Sequence, residues 1–215
     1  TGKVFDKWVV KAGGVTLANE TSATTTFTMP GNDVKIEATY NDASPSHSIY
    51  VGMTYTAGNF IYQITSIDTA TLGHSKVIGV VAAKKNKITK ITIPDRADCK
   101  GYGLNVTEVG DNAFKAMKKL KKVTFGANVK IIGKAAFSNC KKLNKINFKN
   151  VTTIGNNAFA GCKALKKLTI GSKVTTIGKN AFKKCTKLKT VVMGKSVKTI
   201  NAKAFTKDNK IKKIT

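Results

Sequence analysis

Residues 129–148 read VKIIGKAAFSNCKKLNKINF, and residues 151–170 read VTTIGNNAFAGCKALKKLTI. The two stretches carry the same Val, Ile-Gly, Ala-Phe, Cys-Lys and Leu at the same offsets. Working outward, the frame recurs: Phe114, Phe137, Phe159, Phe182 and Phe205 stand 23, 22, 23 and 23 residues apart. Each follows an Ala, and a Val stands eight residues before each of them (Val106, Val129, Val151, Val174, Val197). Three residues after them come Met117, Cys140, Cys162, Cys185 and, as the one departure, Asp208. A period of this length is the mark of a solenoid, in which one coil cannot bury its own apolar face and stacked coils share a core.

Within each copy, Leu-x-x-apolar-x-apolar (Leu120 to Phe125, Leu143 to Phe148, Leu165 to Ile170, Leu188 to Met193) predicts a short strand with alternate residues inward. The Ala-Phe-x-x-Cys segment has helical spacing and predicts a short helical turn on the opposite, convex side. Gly133, Gly155 and Gly178 are expected to release the chain from the extended Val-x-x-Ile stretch before it.

The repeat Ile-Gly-x-x-Ala-Phe-x-x-Cys-x-x-Leu-x-x-Ile-x-Ile resembles the BspA-like, or Treponema pallidum type, leucine-rich repeat over roughly residues 88–215. The resemblance implies a curved right-handed solenoid on a secreted or surface-anchored bacterial protein, used for attachment or other protein recognition. At the other end, Val4-Phe5-Asp6-Lys7-Trp8, Thr26-Phe27-Thr28-Met29-Pro30 and Val34-x-Ile36-x-Ala38-Thr39-Tyr40 resemble the divergent internalin-B-type B repeat (Listeria–Bacteroides repeat). That family implies a small β-grasp-like unit strung along a bacterial surface protein. The expected fold class is therefore an α/β leucine-rich-repeat solenoid with a parallel short-strand sheet, preceded by a small all-β module. Four segments are expected: 1–40, the B-repeat fragment; 41–48, a polar linker; 49–105, a β-rich N-terminal cap with an irregular first repeat; and 106–215, the regular repeats. Ile49–Tyr55, Asn59–Ser66, Ser75–Val81, Ile88–Ile93 and Gly103–Val106 are the strands expected in the cap region. Trp8 is read as a core anchor of the first module.

Charge is the compositional outlier. The chain of 215 residues has a formal net charge of +27, and residues 101–215 hold 27 lysines against Glu108, Asp111 and Asp208. Such a field attracts polyanions: acidic glycan, teichoic acid, nucleic acid or an anionic membrane surface. Arg96 is the only arginine, however, and sites that read phosphate or carboxylate bidentately favour arginine. A lysine-only excess also fits plain solubility, so both readings stand.

Chemistry is not indicated. The four cysteines show no CxxC and no zinc spacing, and three of them share one repeat position, which reads as reduced core packing. His47 and His74 have no ligand-type neighbour at metal spacing and read as surface residues. No Walker, dinucleotide, HExxH or nucleophile-elbow motif occurs, so no catalytic residue, cofactor or metal is expected. Three sequons carry no weight. No run of 18 apolar residues spans a membrane, and a start at Thr1 reads as a fragment or processed form.

What remains is surface. The outward strand positions form two rows on the concave face: Lys122, Lys145, Lys167, Thr190 and Lys213, and beside them Thr124, Asn147, Thr169, Val192 and Thr215. Lysines at a strand spacing of about 5 Å repel by about 0.8 kcal/mol in water before screening. Neither row has an aromatic for base stacking, which argues against sequence-specific nucleic-acid binding. The expected function is a non-catalytic, monomeric binding module at a bacterial surface or secreted, recognising a host or neighbouring-cell protein. The alternatives are an electrostatic binder of acidic glycan or wall polymer, and a structural spacer.

Overall fold

The structure is a computed structural model and describes residues 3–22, 24–42, 49–67, 73–80, 85, 87–208 and 210–215. Packing divides the chain into two compact units, Thr1–Ser48 and Ile49–Thr215. The stretch 43–48, with His47, lies outside the described residues, as does Val81 at the end of the expected strand Ser75–Val81.

The first unit is built on two antiparallel strands, β1 (Lys3–Ala12) and β2 (Lys35–Asp42), with register breaks between Phe5 and Lys7 and between Val10 and Ala12. β2 runs two residues past Tyr40, because Asn41 and Asp42 still pair with Val4 and Lys3. Trp8 is half-buried, donates its indole N–H to the Ser22 carbonyl at 3.0 Å and packs on Phe5 at 5.4 Å. The alternating Thr24–Met29 stretch forms no strand; it is held by the Ala18 N–H bonded to the Thr26 carbonyl and the Asn19 N–H bonded to the Thr25 hydroxyl.

The second unit opens with an antiparallel meander, β3 (Thr54–Ala57), β4 (Phe60–Ser66) and β5 (His74–Val80). The first strand starts later than the expected Ile49, because Gly52 sits at φ +94° in the turn before it. β6 (Lys90–Thr92), β7 (Arg96–Cys99) and β8 (Tyr102–Val109) follow. β7 pairs antiparallel with β8 and lies outside the expected strands: the Asp98 carboxylate accepting the Gly101 N–H, with Gly101 at φ +86°, closes a hairpin there. β5 joins β8 in parallel, and from β8 the chain enters its repeats.

Each repeat contributes two short strands. One ladder runs β8, β10 (Ile131–Ile132), β12 (Thr153–Ile154), β14 (Thr176–Ile177) and β16 (Thr199–Ile200), all parallel. The other set is β6, β9 (Lys122–Thr124), β11 (Lys145–Asn147), β13 (Lys167–Thr169), β15 (Thr190–Val192) and β17 (Lys213–Ile214). These form two sheets of three strands, β6-β9-β11 and β13-β15-β17.

The helical turn expected at Ala-Phe-x-x-Cys is absent; among the described residues no segment is helical. The reason is where the amides go. In the second coil the N–H groups of Ala136, Ser138 and Cys140 bond three residues back, to Gly133, Ala135 and Phe137. Those of Ala135, Phe137 and Asn139 bond across to Asn156, Ala158 and Ala160 of the next coil. Half the amides are thus committed to the neighbouring coil, and no continuous bonding to the carbonyl four back can form. Positive-φ residues recur twice per turn (Ala135 and Asn139, Asn157 and Gly161, Asn180 and Lys184), which keeps these segments as successive tight turns.

The core of the repeats is one column system, with a smaller cluster of Ile64, Cys99 and Leu104 beside the meander. The five repeat phenylalanines stack at centroid separations of 5.0, 5.2, 5.5 and 5.4 Å, and Phe60 of the meander caps them edge-on at 5.9 Å. Phe125 and Phe148 form a second, shorter column set edge-on to Phe137 and Phe159. Gly133, Gly155 and Gly178 serve close approach rather than backbone release. None has a positive φ, and a Cβ on Gly155 would meet the Ile132 carbonyl oxygen at 2.7 Å.

Candidate functional site

Two rows of side chains come to the outer face of the β6 to β17 strands because the inward positions (Ile91, Val123, Leu168, Val191) are buried. Lys90, Lys122 and Lys145 pair in register, as do Thr92, Thr124 and Asn147. Beyond them Lys167, Thr190 and Lys213 pair, and Thr169 pairs with Val192. The five lysines, Asn147 and Thr169 are exposed, while Thr124, Thr190 and Val192 are half-buried. Lys90 and Thr92 add a first rung to the two expected rows. The pattern Ile88-x-x-Ile91-x-Ile93 already placed them at equivalent positions. Asn147 is partly committed: its side-chain oxygen accepts the Lys149 N–H at 3.1 Å.

The rows are interrupted once. No pairing joins β11 to β13, and between them lies a cleft of about 480 Å³ lined by Asn144, Lys145, Ile146, Lys166, Lys167 and Thr169. Ile146 is only half-buried, whereas its counterparts Val123, Leu168 and Val191 are buried. The opening falls in the coil with the short spacing, where two residues rather than three separate Phe148 from Val151 and Lys149 takes φ 40°.

The face is electrostatically one-sided. Beside the rows, each coil presents further exposed lysines: Lys118, Lys119 and Lys121 in the first, Lys141 and Lys142 in the second, Lys163 and Lys166 in the third. A second cleft of about 540 Å³ lies among Ala116, Lys118, Asn139, Lys141 and Lys142. Among the described residues the one ion pair is Lys11 to Glu37 at 3.5 Å, in the first unit. The acids of the solenoid are occupied elsewhere. Asp111 accepts the Lys134 N–H at 2.6 Å, and Asp95 accepts the Ala127 N–H through a short bond. Glu108 lies on the other ladder, where burial raises its carboxyl and Lys76 partly offsets that.

The cysteines are core groups. Cys140, Cys162 and Cys185 are buried and donate their thiols to the carbonyls of Phe114, Phe137 and Phe159 at 3.1, 3.3 and 3.4 Å. Burial pushes the Cys140 thiol up to about 11 and holds Cys162 and Cys185 well above the ordinary range. Asp208 fills the same column position in the coil of Phe205, and burial pushes its carboxyl up to about 7. Among the described residues no group of three or more His, Cys, Asp and Glu is placed to hold a metal.

Residues 107–215 match six copies of the BspA type leucine rich repeat region. The chain belongs to the BspA type leucine-rich-repeat family. Residues 1–44 match the divergent InlB B-repeat domain. Among solved structures, a leucine-rich repeat protein from Bacteroides ovatus is 27% identical with a TM-score of 0.65, over 75% of this chain and 40% of that one. The T. pallidum leucine-rich repeat protein is 26% identical with a TM-score of 0.63, over 75% of this chain and 71% of that one. A leucine-rich cell surface protein from Faecalibacterium prausnitzii shares the fold at 23% identity and a TM-score of 0.51, covering 76% of this chain and 54% of that one. This BspA type chain thus spans about two-fifths of the Bacteroides ovatus structure. No curated protein matches it. No enzyme family appears among the matches, and among the described residues no helix is long and apolar enough to cross a membrane.

Proposed function

We propose that this BspA type chain is a non-catalytic binding module, displayed on or secreted from a bacterial cell. Its strand face engages a protein of a host or neighbouring cell. The observation that carries the reading is the pair of rows, in register within each three-strand sheet: Lys122, Lys145, Lys167 and Lys213 beside Thr124, Asn147 and Thr169, with Thr190 and Val192 completing them. A rigid, small-featured polar face of this kind suits protein recognition, whose specificity comes from complementarity rather than from a pocket. In this reading residues 49–105 close the strand edge of the first coil, and the module acts as a monomer.

The test is retention of the labelled chain on host epithelial cells before and after surface proteolysis. Loss of binding after proteolysis, and loss with Lys122→Glu, Lys145→Glu and Lys167→Glu combined, is expected. Binding that survives both would remove the reading.

The band of exposed lysines beside the rows favours a second reading, attachment to acidic glycan or teichoic acid by charge. Retention on heparin that disappears steeply with salt, together with cell binding indifferent to proteolysis, would select it.

A further inference from the structure

The break between β11 and β13 is the one place where the strand row opens. Its lining is specific: Lys145, Lys166 and Lys167 at the rim, Asn144 and Thr169 beside them, and the half-buried aliphatic chain of Ile146 as the floor. Among the described residues no carboxylate lies within ion-pair reach of these lysines. At the equivalent positions Ile91, Val123, Leu168 and Val191 are sealed inside and Ile214, on the last strand, is exposed; Ile146 is an interior position of the row that is partly uncovered.

We propose that this opening is a docking cleft for an acidic peptide segment, with carboxylates on Lys145 and Lys167 and an aliphatic side chain over Ile146. The inference deepens the protein-recognition reading and rests on it. Charge complementarity requires an anion, since three ammonium groups crowd one cleft with no internal counter-charge. The apolar floor selects within the anions. Neither a sulfated glycan nor a nucleic acid gains from an aliphatic floor, and no aromatic ring lines the cleft for a sugar or base to stack on. An acidic peptide with a valine or leucine between its acids uses both features. Lysine, a rotatable point charge, meets a single carboxylate without needing the bidentate fork of arginine.

The experiment titrates the full chain, labelled with ¹⁵N, with a pentapeptide of valine flanked on each side by two acidic residues, at low salt. Shifts of the amides of residues 144–147 and 166–169 that saturate together are expected. Lys145→Gln combined with Lys167→Gln should weaken the peptide by about tenfold or more. A glycine inserted between Lys149 and Asn150 restores the longer spacing and should close the cleft, reducing binding at unchanged net charge. Should the insertion fail to fold, the lysine variants decide alone.

Shifts spread evenly along Lys90, Lys122 and Lys213 would overturn the cleft, as would cleft shifts produced by a heparin fragment or an oligonucleotide but not by the peptide. Peptide shifts centred on Thr92 and Thr124 would overturn the cleft and leave the strand-face reading standing. With no peptide shift on either row the cleft falls; the strand-face reading is then judged by the protease-sensitive cell binding alone.

Discussion

The ring of Phe137 lies parallel to that of Phe159, with centroids 5.2 Å apart and planes 2° from parallel. Each ring in the middle of the column is covered above and below by another, and both are fully buried. Phe205 has one ring neighbour, Phe182, and is only half-buried. Truncating Phe159 to Ala therefore removes contacts on both sides and leaves a void, which should cost about 3–5 kcal/mol. Phe205→Ala should cost clearly less. Denaturant midpoints of the two variants check the order, and equal losses would contradict the stacked column.

The thiols should be silent in the folded chain. All four cysteines are free and buried, and burial raises the pKa of each. Since thiolate is the reactive form, a colorimetric thiol reagent at pH 8 should titrate none of them natively and all four in denaturant. Cys162→Ser keeps a donor toward the Phe137 carbonyl but places a hydroxyl in an apolar column, and should cost about 1–3 kcal/mol.

Gly155→Ala should be among the most damaging small substitutions. The added Cβ would meet the Ile132 carbonyl oxygen at 2.7 Å and Gly133 backbone at 2.8 Å, neither of which can rotate away. A loss of about 1–3 kcal/mol is expected from forcing the coils apart. Gly79→Ala serves as the control. The nearest atom to its new Cβ is the Ala113 carbonyl oxygen at 3.9 Å, and its effect should stay within about 0.5 kcal/mol.

Asp208 should make its coil pH-sensitive. Burial raises its folded carboxyl to about 7, against an unfolded value of about 3.9. The folded state therefore holds the proton more tightly. Its stabilising effect is complete below about pH 4 and is lost as pH rises through about 7. Hydrogen exchange at the Phe182 amide, bonded to the Ala204 carbonyl at 2.8 Å, reports opening of this coil. Protection corrected for intrinsic exchange should fall from pH 5 to pH 8. Asp208→Cys, which restores the column residue, should flatten that dependence.

The repeats were legible because their cause is local in sequence: a fixed residue type at a fixed offset, in every copy. The Phe column, the inward strand positions and the two outward rows all follow from that frame. The turn at Ala-Phe-x-x-Cys has a spacing that fits a helix, while its geometry is decided by carbonyls 21 or 22 residues away, which no local pattern registers. The same holds for Gly155, whose reason is a neighbouring coil rather than its own backbone angles. The cleft beside Ile146 was foreshadowed by a single number, the one spacing of 22 among 23s, whose consequence for strand pairing a repeat pattern does not express.

The alternation of amide bonds in the turns also bears on how the chain would answer a mechanical pull. Because every second turn amide is fastened to the next coil, detaching a coil breaks its turn and strand bonds as one group, while the coils behind it keep theirs. Under tension along the stack such a chain would yield stepwise, each coil of 23 residues releasing about 75 Å of extended polypeptide.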